Sequence, residues 1–251
     1  MIDLSTRDDV AVVTLAHGKA NALDVELCEA LTARFTDLLT SPAAAIIVTG
    51  QGSIFSAGVD LLRLLDGGAA YVRRFLPALH KLYDTVFFYP KPVVAAVNGH
   101  AVAGGCILAC AADRRLMARD RGRIGVTELL VGVPFPAMAF EVMRYTTAPN
   151  RFEEVMLGAA TYAPEAAAAL GLIDDIVEPD ALMDRAVAAA RALAALSPQA
   201  FALTKRRSRQ AAADRLEKDG FRYDRLVDDV WAAPQTFDRI RSYVTRTFKK
   251  Q

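Results

Sequence analysis

Short β-branched apolar runs alternate along this chain with longer stretches in which apolar residues recur every three or four positions. Val10–Leu15, Ala45–Thr49 and Val93–Val97 are runs of the first kind, and each predicts a strand. Arg115–Ala118 and Arg123–Ile124 are weaker strand candidates. Asp24 stands where an N-cap belongs, and Leu27, Leu31, Phe35 and Leu38 mark one face of a helix over Val25–Leu39. Helical spacing also covers 69–88, 104–112, 136–146, 151–158, 164–170, 180–195, 199–218 and 236–248. Strands alternate with helices in the first half and helices fill the last third, so the pattern predicts an α/β core followed by a helical section.

Twenty residues from Val93 to Ala112 contain only Asn98 and His100 as strongly polar positions, long enough for a membrane span. The punctuation argues otherwise. A β-branched run, an Asn98-Gly99 turn signal and a Gly104-Gly105 opening predict a buried strand, a turn and a buried helix. No membrane partner is expected.

Composition narrows the function classes. With 251 residues the chain can bury a large core, and 53% hydrophobic with 24% charged residues reads as soluble and globular. A net charge of +1 creates no field for nucleic acid. The three cysteines, Cys28, Cys106 and Cys110, fit no disulfide framework, and nothing resembles a secretion signal, so a reducing cytoplasm is expected. Cys106 and Cys110 share a helix face as small core fillers, and the scattered His17, His80 and His100 have no metal spacing. No metal site is expected. The basic run Lys205-Arg206-Arg207-Ser208-Arg209 reads as a solvated helix face, with docking of an anion or a partner subunit as the minority reading.

Two glycine-bearing segments carry the candidate chemistry. In Phe55-Ser56-Ala57-Gly58-Val59-Asp60-Leu61, small residues permit close backbone approach and Asp60 is placed to cap a following helix. In Ala103-Gly104-Gly105-Cys106, the glycines open a second helix, whose first N–H groups lack intrahelical partners. Each segment also reads as ordinary close packing. Glu128 is the only charged residue from Ile124 through Phe140. By residue chemistry alone an exposed turn is its commoner setting. Partial desolvation is the alternative, and it would raise the carboxyl pKa toward that of a general base.

Together these segments resemble the crotonase family, the enoyl-CoA hydratase/isomerase superfamily. The residues that carry the resemblance are Lys19-Ala20-Asn21-Ala22-Leu23, Phe55–Leu61, Lys91-Pro92-Val93-Val94-Ala95-Ala96-Val97-Asn98-Gly99, Ala103–Cys106, Gly125-Val126-Thr127-Glu128-Leu129, Thr161–Ala166 and Gly171–Asp174, in order along the chain. The resemblance implies a spiral of ββα units over residues 1–190 and a helical region over 191–251 that assembles a homo-trimer or hexamer. It implies an acyl-CoA thioester substrate, with no cofactor beyond the coenzyme A that the substrate carries. It places oxyanion-binding N–H groups at Val59 and Gly104, and substrate contacts at Ala20, Ala22, Ala57, Asp60, Leu61 and Ile107. Tyr243, Arg246 and Phe248 fall at tail positions near the nucleotide.

One position departs from the pattern. Family hydratases use two glutamates to manage water, and the first of these positions is Ile107 here; the second is Glu128. A single glutamate suffices to move a proton from C2 of a 3-enoyl thioester to C4. The expected activity is therefore Δ3–Δ2 isomerisation. Hydration, thioester hydrolysis and decarboxylation at the same site remain alternatives, as does a catalytically silent acyl-CoA binder.

Overall fold

The computed structural model describes residues 1–248, Phe248 by its backbone only. Its chain order is β1 (Ile2–Arg7), β2 (Val10–Leu15), α1 (Val25–Leu39), β3 (Ala45–Gly50), β4 (Ile54–Ser56), α2 (Leu61–Phe87), β5 (Val93–Val97), β6 (His100–Val102), α3 (Gly104–Cys110), β7 (Arg114–Ala118), β8 (Ile124–Gly125) and α4 (Ala137–Thr146). Then follow α5 (Phe152–Gly158), α6 (Pro164–Ala169), β9 (Asp175–Val177), α7 (Leu182–Ala194), α8 (Pro198–Ser208), α9 (Gln210–Arg215), α10 (Phe221–Trp231) and α11 (Pro234–Phe248).

The strands sort into two sheets, ordered β1-β2-β3-β5-β7-β9 and β4-β6-β8. Among the paired strands of the described residues only β1–β2 is antiparallel, besides a single antiparallel bridge between Ile124 and Tyr162. β3, β5 and β7 lie in the large sheet, and each is followed by a short strand of the small sheet and then by a helix. The unit ββα thus repeats with a constant sheet order, which makes the chain a spiral. β2, β3 and β5 are buried on both faces, which explains their almost wholly apolar runs, and β7 is buried from Arg115 onward. One face, with Val13, Ile46, Val48, Val93, Ala95 and Met117, joins the main core. The other, with Val12, Ile47, Val94 and Ala96, is covered by Leu182, Ala186 and Ala190 of α7, whose small side chains let the helix approach closely.

Several elements differ from the sequence pattern. β4, β6 and β8 are too short to show periodicity, and β8 lies one residue beyond the predicted 123–124. β1 has polar, mostly exposed faces and forms through its full register with β2 (Ile2 opposite Leu15, Arg7 opposite Val10). The helix expected over 69–88 begins at Leu61, where the Asp60 carboxylate accepts from Leu62 N and Arg63 N at 3.0 Å. Gly68, at φ 59° and ψ −156°, interrupts it. The predicted helix 199–218 ends at Ser208 and resumes as α9.

The break follows a buried ion cluster, not the solvated basic face that the run 205–209 suggests. Lys205 and Arg209 are 7% and 3% exposed. Asp113 receives Lys205 Nζ at 2.7 Å, Arg209 at 2.9 Å and Val93 N at 2.8 Å. Arg206 and Arg207 keep the solvated positions. The apolar run from Val93 to Ala112 is divided among β5, β6 and α3, and no single helix among the described residues is long and apolar enough to cross a membrane.

Candidate active site

β4, β6 and β8 are parallel neighbours, so their C-terminal ends lie side by side. Val59, Gly104 and Glu128 each follow one of these ends within a few residues. The small sheet therefore delivers three segments that are distant in sequence to a single edge, the usual place for ligands in parallel α/β structures.

At the first segment, Leu23 N–H donates to Gly58 O at 2.7 Å and Asp60 N–H donates to Leu23 O at 2.9 Å. These two bonds form a one-residue parallel bridge between Leu23 and Val59. In a parallel ladder the residue between two such contacts turns its own N–H to the opposite side, so the Val59 N–H points away from the Leu23 strand. The loop 17–24 is tied down further. Asn21 Nδ2 donates to Ile54 O at 3.0 Å, Ser56 Oγ donates to Asn21 O at 2.7 Å, and Ala57 N donates to Ala20 O at 2.9 Å. Ala20 and Ala22 are half-buried in this clasp, Asp60 and Leu61 are half-buried at the start of α2, and Ala57 is exposed.

At the second segment, Ala103 holds φ 51° and ψ −125°, a sparsely populated conformation for a residue with a Cβ. Its N–H donates to Gly125 O at 2.8 Å, and its carbonyl accepts from Cys106 N at 2.9 Å and Ile107 N at 3.2 Å. With that carbonyl turned into the helix, the N–H of the same planar peptide, that of Gly104, is directed out of it. No side chain caps this helix start.

The two segments touch. Gly58 lies at φ +83°, and a Cβ there would stand 2.6 Å from Val102 O, 2.8 Å from Ala103 Cβ and 3.0 Å from Gly104 N. A Cβ on Gly104 would meet Tyr83 Oη at 2.8 Å, Leu23 Cδ1 at 3.0 Å and Val59 Cγ2 at 3.6 Å. Glycine at 58 and 104 is thus a requirement of close approach.

Glu128 opens a 3₁₀ turn, Glu128–Leu130, and is 5% exposed. The exposed-turn reading of its residue chemistry is overturned. Bonds from Leu130 N to Thr127 O and from Val131 N to Glu128 O shape the turn so that the glutamate faces inward, while Leu129 and Leu130 face out at 37% and 49% exposure. Its Oε2 is buried and has no hydrogen-bond partner in the protein. Burial pushes the carboxyl up to about 7, against the smaller opposing pull of backbone N–H groups at Glu128 and Thr127. The other buried carboxylates are satisfied. Asp24 accepts from Leu27 N and pairs with His17, and Glu141 is bound by Arg215. Glu128 lies within Coulombic reach of Tyr83 and Cys106, which ties it to the Gly104 segment. Ile107, on the second turn of α3, is 2% exposed and offers no titratable group.

The tail residues lie apart from this cluster. Tyr243 and Arg246 line a cavity of about 300 Å³ with Leu130, Asp238, Arg239 and Ser242. The side chain of Phe248 lies outside the described residues. Among the described residues no group of three potential metal ligands occurs. One member of the cluster escaped the sequence reading altogether. Tyr83 is fully buried, and its hydroxyl donates to Gly104 O at 2.9 Å. An aromatic on the apolar face of a helix reads only as core.

The model of the enoyl-CoA hydratase/isomerase family matches residues 5–232. The chain belongs to this family. Within it, the chain is 36% identical to a putative enoyl-CoA hydratase of Thermus thermophilus over 224 residues, 87% of each protein. It is 30% identical to the mitochondrial enoyl-CoA delta isomerase 1 of Mus musculus over 213 residues, 83% of this chain and 73% of that one. Among solved structures, an apo enoyl-CoA isomerase of Mycobacterium tuberculosis is 31% identical with a TM-score of 0.79, covering 96% of this chain and 97% of that one. Members of the enoyl-CoA hydratase/isomerase family act on acyl-CoA thioesters, and the spiral expected from the resemblance is the fold found here.

Proposed function

We propose that this enzyme isomerises 3-enoyl-CoA thioesters to 2-enoyl-CoA, with Glu128 as its single acid–base group. In this mechanism the thioester oxygen lies against the N–H groups of Val59 and Gly104. The Glu128 carboxylate removes a proton from C2, the electrons pass through C1 to the oxygen, and the two N–H groups hold the dienolate. The resulting carboxylic acid returns the proton to C4, the double bond settles between C2 and C3, and Glu128 is regenerated as carboxylate. Each donor of this kind is worth on the order of 10²–10³ in rate. The pantetheine arm would run past Ala20, Ala22, Asp60 and Leu61, with Tyr243 and Arg246 toward the nucleotide.

The observation that carries this reading is the buried, unpartnered Glu128 carboxyl held near 7, beside a helix whose Ile107 supplies no second carboxylate. A pKa near the working pH suits one group that must both take and return a proton. An apolar residue at 107 also disfavours activation of water, which protects the dienolate. Hydration is the second reading, favoured by the hydratase names of several relatives. The two separate on two substrates. The isomerase converts 3-hexenoyl-CoA to the conjugated 2-enoyl product, seen as a rise in enoyl absorbance, and leaves 2-hexenoyl-CoA intact. Loss of absorbance from 2-hexenoyl-CoA at a comparable rate would establish hydration instead.

A trimeric or hexameric assembly through residues 191–251 belongs to the same proposal. Its support is the set of exposed apolar side chains there, Leu203 at 68%, Phe221 at 80% and Leu226 at 61%. Light scattering on the purified chain measures it directly.

A further inference from the structure

We propose that Tyr83 is a positioning residue that fixes the Gly104 N–H relative to the Val59 N–H. The inference rests on the oxyanion-hole reading of those two groups, but not on which enoyl reaction they serve.

The peptide that carries the Gly104 N–H is under strain on one side, because Ala103 sits at φ 51° and ψ −125°. A non-glycine residue persists in such a conformation only where its surroundings over-determine it. The easy relaxation is rotation of the 103–104 peptide, which would swing the N–H off its target. Three constraints oppose that rotation. Ala103 N is bound to Gly125 O at 2.8 Å, and Ala103 O is bound by Cys106 N and Ile107 N. On the far side of the Gly104 Cα, Tyr83 Oη donates to Gly104 O at 2.9 Å. Tyr83 also fills the space a side chain at 104 would need, since its Oη is 2.8 Å from that Cβ position. The same atom therefore bonds the Gly104 carbonyl and leaves no room for a side chain at 104.

The anchor has the right chemistry and origin. The Tyr83 phenol is fully enclosed, and burial, with smaller contributions from the nearby Cys28, Glu128 and Cys106, holds it well above the usual phenol range, so it stays a donor. Tyr83 is carried by α2, whose first residue follows Val59-Asp60 directly. One element thus presents the first donor at its start and clamps the second further along.

The test is Tyr83→Phe in the full-length chain, with two CoA ligands that need no turnover. Acetoacetyl-CoA binds as an enolate, with negative charge on the thioester oxygen, whereas butyryl-CoA presents a neutral carbonyl. The expected result is a melting temperature close to wild type and unchanged butyryl-CoA affinity. Enolate binding should weaken roughly tenfold, about one hydrogen bond's net worth. With 3-hexenoyl-CoA, kcat should fall about as much while KM stays within twofold. Tyr83→Met, which also lacks the donor but fills the space differently, should show the same selective loss of enolate affinity. Equal weakening of both ligands, or no change in either, would overturn the assignment and reduce Tyr83 to packing. Failure of the wild-type protein to isomerise 3-hexenoyl-CoA, with the selective enolate loss still seen in Tyr83→Phe, would refute the isomerase reading and leave this one standing.

Discussion

Burial holds Glu128 at about 7, so near neutral pH roughly half of it is carboxylate. If it is the base, kcat on 3-hexenoyl-CoA should rise with pH and level off above an apparent pKa near 7. A flat profile from pH 5.5 to 8.5 would remove Glu128 from the proton transfer. Glu128→Gln should lower kcat by at least two orders of magnitude and leave acyl-CoA binding largely intact, as read by calorimetric titration. The same burial has a stability consequence. The folded chain keeps the proton up to about pH 7, the unfolded chain only to the ordinary 4.5. Folding therefore takes up a proton in that window, and the Glu128 contribution to stability is lost as pH rises through it and stays lost above. Glu128→Gln should consequently be more stable than wild type at pH 8, by on the order of 1–3 kcal/mol, and the difference should shrink toward pH 4. Melting curves at several pH values measure this, and a gap that does not depend on pH would count against the buried charge.

At the scale of elements, the site depends on how the turn after β4 packs on the turn after β6. Gly58 has a positive φ and no room for a Cβ against Val102 O and Ala103 Cβ. Gly58→Ala should destabilise the fold by on the order of 1–3 kcal/mol. It should also reduce turnover more than substrate binding, because Gly104 N is the third atom displaced. Unchanged kcat in a folded Gly58→Ala variant would mean that the two turns need not be in register. The two helix starts differ in kind. Asp60 satisfies the first N–H groups of α2, whereas α3 begins with no side-chain cap. That leaves the α3 end open to a ligand oxygen.

At the scale of the molecule, α8 and α9 are joined to the β core through Asp113, which stands just before β7 and gathers Lys205, Arg209 and Val93 N. Burial lowers Lys205 to about 8, and its attraction to Asp113 opposes that fall and favours the charged lysine. Asp113→Ala would leave two buried cations uncompensated, at a cost of about 3–5 kcal/mol. The expected outcome is a melting temperature lower by roughly 10 °C. A shift of one or two degrees would show that the cluster adds little to the union of core and helices.

The sequence by itself determined the central strands β2, β3 and β5, because residues buried on two faces must be almost wholly apolar, and most of the helices, because one apolar face repeats every three to four residues. It also placed the N-caps Asp24 and Asp60 and the glycines of both turns, whose chemistry is local. Only the tertiary structure decided the small sheet, whose two- and three-residue strands are too short for any periodicity and exist through their pairing. That sheet in turn decided the site, for it aligns the ends of β4, β6 and β8 and so brings 59, 104 and 128 to one edge. Burial of Glu128, of Lys205 and of Arg209 was undecidable from residue type, since a charged side chain is exposed by default and goes inside only where the fold encloses it. Tyr83 shows the same limit from the other side. Its ring belongs to a helical pattern visible in the chain, but the partner of its hydroxyl is set by where α2 crosses α3.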